Sequence, residues 1–67
     1  MTEKYILFTN KVLGTSAALV YDPSIVYRYC MAISGSMKKA TGAALWCTTA
    51  SVGDVLENEY YEIKIKE

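Results

Sequence analysis

The helical part of this chain is residues 22–42, which read DPSIVYRYCMAISGSMKKATG. Apolar side chains in this segment recur at spacings of three and four residues, as they do on one face of an α-helix. They are Ile25, Val26, Tyr29, Cys30, Ile33 and Met37. Asp22 is a suitable N-cap, and Pro23 suits the first helical position because the N–H that it lacks would have no partner there. The segment therefore predicts a helix that begins at Pro23.

The end of this helix has two interpretations. Lys38 and Lys39 suit a last helical turn, where positive charge interacts favourably with the helix dipole, and Gly42 can adopt the left-handed conformation that ends many helices. These residues favour one continuous helix to Gly42. The segment Ser34-Gly35-Ser36 argues against it, because an interior glycine costs about 1 kcal/mol relative to alanine. The alternative is a helix that ends near Ser34 and is followed by a loop.

Short strands are predicted on both sides of the helical segment. Residues 5–9 are rich in β-branched and aromatic types, and residues 15–21 form the return strand of a hairpin whose turn ends at Gly14. Both faces of the first strand carry apolar side chains, because residues 5–8 are all aromatic or aliphatic. Beyond the helix, residues 43–50 predict a third strand, which is followed by a turn.

The fourth predicted strand covers residues 55–66. Its hydrophobic alternation is regular from Glu59 onward, which predicts one inward face and one outward face. The inward side chains are Tyr61, Ile63 and Ile65, and the outward side chains are Tyr60, Glu62, Lys64 and Lys66. Charges on the outward face favour an edge position in the sheet.

The predicted order of elements is β-hairpin, helix, β-hairpin (ββαββ). Such a chain forms an α+β fold in which the helix packs on one face of a small antiparallel sheet. From the length of 67 residues we expect one domain, spanning residues 1–67. A domain of this size buries only roughly 60% of the surface of its unfolded chain, so its stability is marginal. Because apolar groups cover both faces of the first hairpin, we expect self-association into a homo-oligomer.

The composition argues against ordinary catalysis. The chain contains no histidine, which removes His-based general bases, Ser-His and Cys-His pairs, and imidazole metal ligands. Cys30 and Cys47 lack the spacing of a zinc knuckle or a redox pair, so they are interpreted as small buried residues. Acidic residues near the fourth strand alternate with lysines and are interpreted as a solvated face. They are Asp54, Glu57, Glu59 and Glu62. We expect no enzyme activity, no metal and no cofactor.

Charge and hydropathy limit the partners further. Seven basic and seven acidic residues balance, so no global attraction to nucleic acid is expected. No apolar run approaches the ~20 residues of a membrane-spanning helix, and the apolar run after Met1-Thr2-Glu3-Lys4 is too short for a signal-peptide core. We therefore expect a cytoplasmic protein without a membrane partner.

Two groups of residues are candidates for binding. The first group surrounds the adjacent lysines and combines hydroxyls, glycines and positive charge, which are the types that contact phosphate. Its members are Arg28, Ser36, Lys38, Lys39 and Thr41. An ordinary helix end is the competing interpretation, because the residue order of a P-loop is absent.

The second group consists of apolar or aromatic side chains that are expected on the surface, where a protein partner could bury them. Its members are Val12, Leu13, Tyr27 and Tyr60. Incidental exposure is the competing interpretation, because folded proteins commonly expose some apolar residues.

Three functions follow from these features. The first is a non-catalytic, self-associating protein that occupies a surface of another protein, as small inhibitors and adaptors of phages or mobile elements do. The second is an oligomer that sequesters a small phosphorylated or nucleotide ligand. The third is the binding of single-stranded nucleic acid on an aromatic sheet. It ranks last, because seven scattered basic residues hardly form the basic groove that it needs.

Overall fold

One antiparallel sheet is covered on one face by two helices. The computed structural model describes residues 3–67, so Met1 and Thr2 of the N-terminal segment considered above lie outside the described residues. In chain order the elements are β1 (Tyr5–Asn10), β2 (Thr15–Val20), α1 (Pro23–Ser34), α2 (Met37–Thr49), β3 (Val55–Glu57) and β4 (Tyr61–Lys66). The strand order across the sheet is β2-β1-β4-β3, and every neighbouring pair is antiparallel. The predicted α+β class, with a helical segment between two hairpins, is confirmed.

The helical segment is two helices that meet at Gly35, so the prediction of one continuous helix is wrong. The first helix, α1, begins as predicted, with the Asp22 carboxylate accepting a hydrogen bond from the Ser24 backbone N–H at 2.9 Å. It ends where Gly35, at φ 66°, donates its N–H to the Met31 carbonyl at 2.9 Å. Glycine adopts this left-handed conformation without the steric cost that other residues meet. The alternative end near Ser34 is therefore confirmed.

The chain after Gly35 enters a second helix instead of the loop of that alternative, and this helix continues through most of the predicted third strand. The Ser36 hydroxyl caps α2 by accepting a hydrogen bond from the Lys39 N–H at 3.2 Å. Small side chains at spacings of three and four residues are buried along α2 and at its C-cap. They are Ala40, Ala43, Cys47 and Ala50. The strand prediction for residues 43–50 is wrong because the burial of this face outweighs the local β-propensity of tryptophan and threonine.

The predicted fourth strand, residues 55–66, is two strands with a turn between them. The Asn58 side-chain oxygen closes the turn by accepting hydrogen bonds from the N–H groups of Tyr60 (2.8 Å) and Tyr61 (3.0 Å). The inward face of β4 is buried, as predicted. It consists of Tyr61, Ile63 and Ile65. The predicted edge position is wrong, because β4 lies between β1 and β3, while β2 and β3 are the edge strands.

The core lies between the two helices and the helix-facing side of the sheet. Phe8 of β1 is opposite Ile63 of β4, and both side chains are buried. The Phe8 ring centroid lies 5.5 Å from the ring centroids of Tyr29 and Tyr61, which joins α1 to the two central strands. Neither helix within residues 3–67 has the length and apolar content needed to cross a bilayer.

Two thiols and one phenol lie inside this core. Cys30 and Cys47 are free, buried thiols, which agrees with their interpretation as small core residues. Burial raises the pKa of both thiols. Burial, together with a hydrogen bond to the Cys30 thiol, raises the pKa of the Tyr61 phenol to about 12. All three groups are therefore neutral at pH 7.

Candidate functional site

Two highly exposed aliphatic side chains lie in the turn between β1 and β2. Val12 and Leu13 are 64% and 73% exposed, in agreement with their predicted place on the surface. The Asn10 side-chain oxygen accepts hydrogen bonds from the N–H groups of Val12 (2.9 Å) and Leu13 (3.0 Å). Gly14, at φ 76°, then returns the chain and donates its N–H to the Asn10 carbonyl at 2.7 Å. We call Val12 and Leu13 the hairpin tip; its backbone is fixed by the turn itself.

The hairpin tip is also held by contacts with the second hairpin. Lys11 donates from Nζ to the Glu57 carboxylate at 2.9 Å and to the Asn58 carbonyl at 2.8 Å. The hydrogen bond and the charge of Lys11 lower the pKa of Glu57. The Lys11 backbone N–H adds a hydrogen bond to the Tyr60 carbonyl at 2.9 Å. These contacts already restrict the conformations of the hairpin tip. The tip therefore loses less conformational freedom on binding a partner, which lowers the entropic cost of binding.

β2 is an edge strand without the features that usually protect one from other chains. Within residues 3–67 it has no strand partner on its outer side, and its sequence, TSAALV, contains neither a charge nor a proline. Leu19 is half-buried and the other residues of β2 are exposed, Val20 to 70%. The opposite edge strand, β3, is three residues long and carries Glu57. The β2 edge is therefore the one better suited to pairing with another strand.

The backbone groups that β2 leaves unpaired belong to alternate residues. In an antiparallel ladder, successive residues direct their N–H and C=O groups to opposite sides of the strand. The Lys11 N–H donates to the Tyr60 carbonyl on the β4 side, so the odd-numbered residues of β1 direct their N–H and C=O groups to β4. The even-numbered residues of β1 therefore direct these groups to β2. Those residues are opposite the odd-numbered residues of β2. The residues whose N–H and C=O groups point to the open edge are therefore Ser16, Ala18 and Val20.

A groove lies between α1 and the helix-facing side of β2. Two adjacent cavities of about 590 and 250 Å³ form this β2 groove, and they share Tyr29 and Ala32 of α1. Leu19 lines the larger cavity from β2, and Arg28 is the one charged residue in its lining. Tyr29 is 42% exposed, although its place on the apolar face of the helix suggested a core residue. The helices thus leave most of β2 exposed.

The predicted anion-binding residues lie on two separate helices. The N-cap and first turns of α2 hold Ser36, Lys38, Lys39 and Thr41, whereas Arg28 lies on α1 at the β2 groove. None of the four residues on α2 lines that groove. The structure therefore brings four of the five residues together and separates Arg28 from them.

The two lysines lie at the opposite end of a helix from the predicted one. Lys38 and Lys39 were expected in a last turn, but they occupy the first turn of α2. A helix N-terminus carries the positive end of the dipole, so lysines are unfavourable there. The predicted stabilising effect of this pair on its helix is therefore wrong.

Replacing Lys38 with glutamate is expected to stabilise the protein by about 1 kcal/mol, because a negative side chain interacts favourably with a helix N-terminus. The Lys38 side chain is exposed, so the substitution removes little packing. Urea unfolding at low salt measures the effect, and Lys38→Gln, which only removes the charge, should give about half the gain. A lower unfolding midpoint for Lys38→Glu than for the parent would contradict this prediction.

Tyr27 and Tyr60 are less exposed than predicted. Both side chains are half-buried and pack against the core. Tyr60 lies in the turn before β4, and the Lys39 ammonium is 5.9 Å from the centroid of its ring. Contact with a partner stays a prediction for both residues, which offer less free surface than the hairpin tip.

The acidic residues near β3 and β4 make separate surface contacts. Asp54 accepts a hydrogen bond from the Ser51 N–H at 2.9 Å, and Glu62 lies 3.4 Å from the Lys64 ammonium. Across residues 3–67, no group of three or more His, Cys, Asp or Glu side chains could hold a metal ion. These contacts fit the interpretation of a solvated, charged surface.

The hairpin tip was predictable from the sequence, but the β2 edge and the β2 groove were not. The available signal was the absence of charge and proline from residues 15–20. That signal becomes informative only when the strand order shows β2 at the edge of the sheet. Comparison of the chain with protein-family models, curated proteins and solved structures gives no match.

Proposed function

We propose that this protein is a non-catalytic, self-associating protein that occupies a surface of another protein, as small inhibitors and adaptors of phages or mobile elements do. The contact that we assign to the partner is the hairpin tip. The observation that supports this assignment is the combination of exposure and rigidity there. Val12 and Leu13 are largely exposed, while their backbone N–H groups are hydrogen-bonded to Asn10.

The chemistry of the hairpin tip suits an apolar pocket on the partner. Full burial of an exposed valine or leucine side chain contributes about 1.5–3 kcal/mol, and a rigid turn loses little of this gain to ordering. Polar residues surround the two aliphatic side chains: Asn10 and Lys11 precede them and Thr15 follows. An apolar centre with a polar rim is the usual arrangement of a protein interface.

Leu13→Glu is expected to weaken binding to the partner by at least about 30-fold, because it loses an apolar anchor worth 2 kcal/mol or more and places a carboxylate in an apolar pocket. The partner is first isolated by affinity purification of the tagged protein from cells of the source organism. Titration calorimetry with the purified partner then gives the affinity of the parent and of the variant.

The matched control for this experiment is Leu45→Glu. Leu45 lies on α2 and is 64% exposed, so the control makes the same leucine-to-glutamate change at a similarly exposed site on a different surface. The control should keep the affinity of the parent, and both variants should keep its melting temperature. An equal loss of affinity in the two variants, or none in Leu13→Glu, would exclude the hairpin tip as the contact.

A second candidate function is the sequestration of a small phosphorylated or nucleotide ligand by the oligomer. Arg28 favours it, because a guanidinium beside a cavity of about 590 Å³ provides charge and space for such a ligand. One copy supplies a single charged residue to this cavity, and the other predicted contacts lie on α2. Native mass spectrometry of protein purified from cells separates the two functions, since it reports a protein partner or a retained small mass directly.

A further inference from the structure

We propose that β2 pairs with β2 of a second copy, antiparallel and centred on Ala18, to give a dimer with one continuous sheet. The four strands of each copy would then form one half of an eight-stranded sheet. This inference rests on the self-association in the proposed function and deepens it, because it names the surface and the register. The hairpin tip remains the contact for the other protein.

The unpaired backbone groups of β2 complement those of a second copy. With Ala18 opposite its own copy, Ser16 lies opposite Val20 of the second copy, and Val20 opposite Ser16. These are the residues whose N–H and C=O groups point to the open edge, and each opposed pair exchanges two hydrogen bonds. In an arrangement centred on Ala17, Val20 would lie opposite Gly14 in the turn of the second copy, so its N–H and C=O groups would have no strand partner. The Ala18 register is therefore the one that pairs every open group.

The same register aligns the faces of the two sheets. Residues opposite one another in an antiparallel pair share a face. Leu19 is opposite the buried Ile6 and so belongs to the helix-facing side of the sheet, together with Ala17. Pairing even-numbered residues with even-numbered residues therefore places both helix layers on the same side. The two β2 grooves then join across the axis, where each Leu19 lies opposite the small Ala17 of the second copy.

The charge pattern favours a second copy as the occupant of this edge. At a two-fold axis a residue meets its own copy or a near neighbour, so a charged strand would repel itself. β2 has no charged side chain that could do so, and the residue on the axis, Ala18, is small. Arg28 is the one charged residue in the lining of the larger cavity, and it is exposed, so its guanidinium can remain in water at the rim.

Opposite charges at position 18 test the register directly. By size-exclusion chromatography with light scattering at micromolar concentration, the parent should be a dimer, and Ala18→Lys and Ala18→Glu should each be monomeric because like charges meet on the axis. An equimolar mixture of the two variants should return to the mass of a dimer. Ala18 is exposed, so both variants should keep the circular dichroism spectrum of the parent. Leu45→Lys, the control on α2, should remain a dimer.

A cysteine variant gives a second, independent measurement. Opposed residues of a hydrogen-bonded antiparallel pair have Cα atoms about 5.5 Å apart, which is within the range that a disulfide spans. Ala18→Cys should therefore form a covalent dimer when oxidised glutathione accepts the two electrons and two protons of the paired thiols. The control Ser16→Cys should remain uncrosslinked, because its two copies would lie roughly 14 Å apart along the strands.

Three results would overturn this inference. They are a monomeric parent, a dimer of Ala18→Lys that is as stable as the parent dimer, and preferential crosslinking of Ser16→Cys over Ala18→Cys. If the charged variants fail to fold, the two cysteine variants still decide the register. Partner binding through the hairpin tip is measured separately by titration, so a monomeric parent that still binds its partner would refute the dimer and leave the partner contact standing.

Discussion

Ile65→Asp is expected to unfold the protein. Ile65 is fully buried on β4 opposite Ile6 of β1, and the described core has no buried polar or charged side chain that could pair with a carboxylate. An uncompensated buried charge costs about 3–5 kcal/mol. A single core of this size rarely supplies more stability than about 3–5 kcal/mol. Far-UV circular dichroism and urea titration should show a largely unfolded chain.

The neighbouring residue on β4 provides the control. Lys66 is exposed on the opposite face of the same strand, so Lys66→Asp should change the free energy of unfolding by no more than about 0.5 kcal/mol. The contrast between consecutive positions tests the facing of β4 directly. Equal unfolding midpoints for the two variants would mean that the orientation of this strand is wrong.

Raising the pH from 10 to 12 is expected to destabilise the protein markedly. The pKa of Tyr61 is raised from 10.0 to about 12 by burial and by its hydrogen bond to the Cys30 thiol. Between these values the unfolded chain releases the phenol proton while the folded chain keeps it, so the free energy of unfolding falls. The contribution of this phenol to the free energy of unfolding is fully present below pH 10. Above pH 12 the free energy of unfolding is about 2–3 kcal/mol smaller because of this group alone. Burial also raises the pKa of Cys30 and Cys47, so the titration of these thiols lowers the free energy of unfolding further at alkaline pH.

The Tyr61→Phe variant isolates the contribution of the phenol. At pH 7 it should be less stable by about 1 kcal/mol, because it loses the hydrogen bond between the phenol and the Cys30 thiol and a long one, 3.5 Å, to the Lys39 carbonyl. Above pH 10 its stability should fall less steeply than that of the parent. Urea unfolding between pH 8 and 11 with a reductant present gives both slopes, and parallel slopes would show that the phenol does not titrate differently on unfolding.

Local sequence signals predicted the parts of the fold that depend on neighbouring residues. Asp22-Pro23 located the start of α1, since a cap and a first-turn proline act within a few residues. Alternation in the last predicted strand correctly assigned Ile63 and Ile65 to the core. Gly14 was correctly placed at the end of the first turn, where it adopts a positive φ. Each of these signals is read from residues that lie close together in the chain.

The second helix could not be predicted from neighbouring residues, because two signals in its sequence favoured a helix end and a strand. Lys38 and Lys39 suit a helix end better than a helix start, and Trp46 and the threonines after it have high β-propensity. The correct signals were weaker: Ser36 as an N-cap, followed by alanines and a cysteine at spacings of three and four. Packing of these small side chains into the core determines the outcome, and it depends on α1 and the sheet.

The candidate site was predictable only in part. Val12 and Leu13 could be placed at a turn from the residues beside them, and their exposure follows from that position. The β2 edge depends on the strand order, which is a property of the whole sheet. Arg28 was grouped with the lysines because both kinds of residue are basic, whereas the fold places them on different helices.

The strand order also determines how the protein reaches its native state. Each hairpin can form from residues that are close in sequence, but β1 and β4, the first and last strands, must find each other at the centre of the sheet. This step closes a loop that contains both helices, and such long-range closure slows folding. Until it is complete, each hairpin exposes its apolar face to solvent. Refolding should therefore be limited by the pairing of β1 with β4, and aggregation should compete with it at high protein concentration.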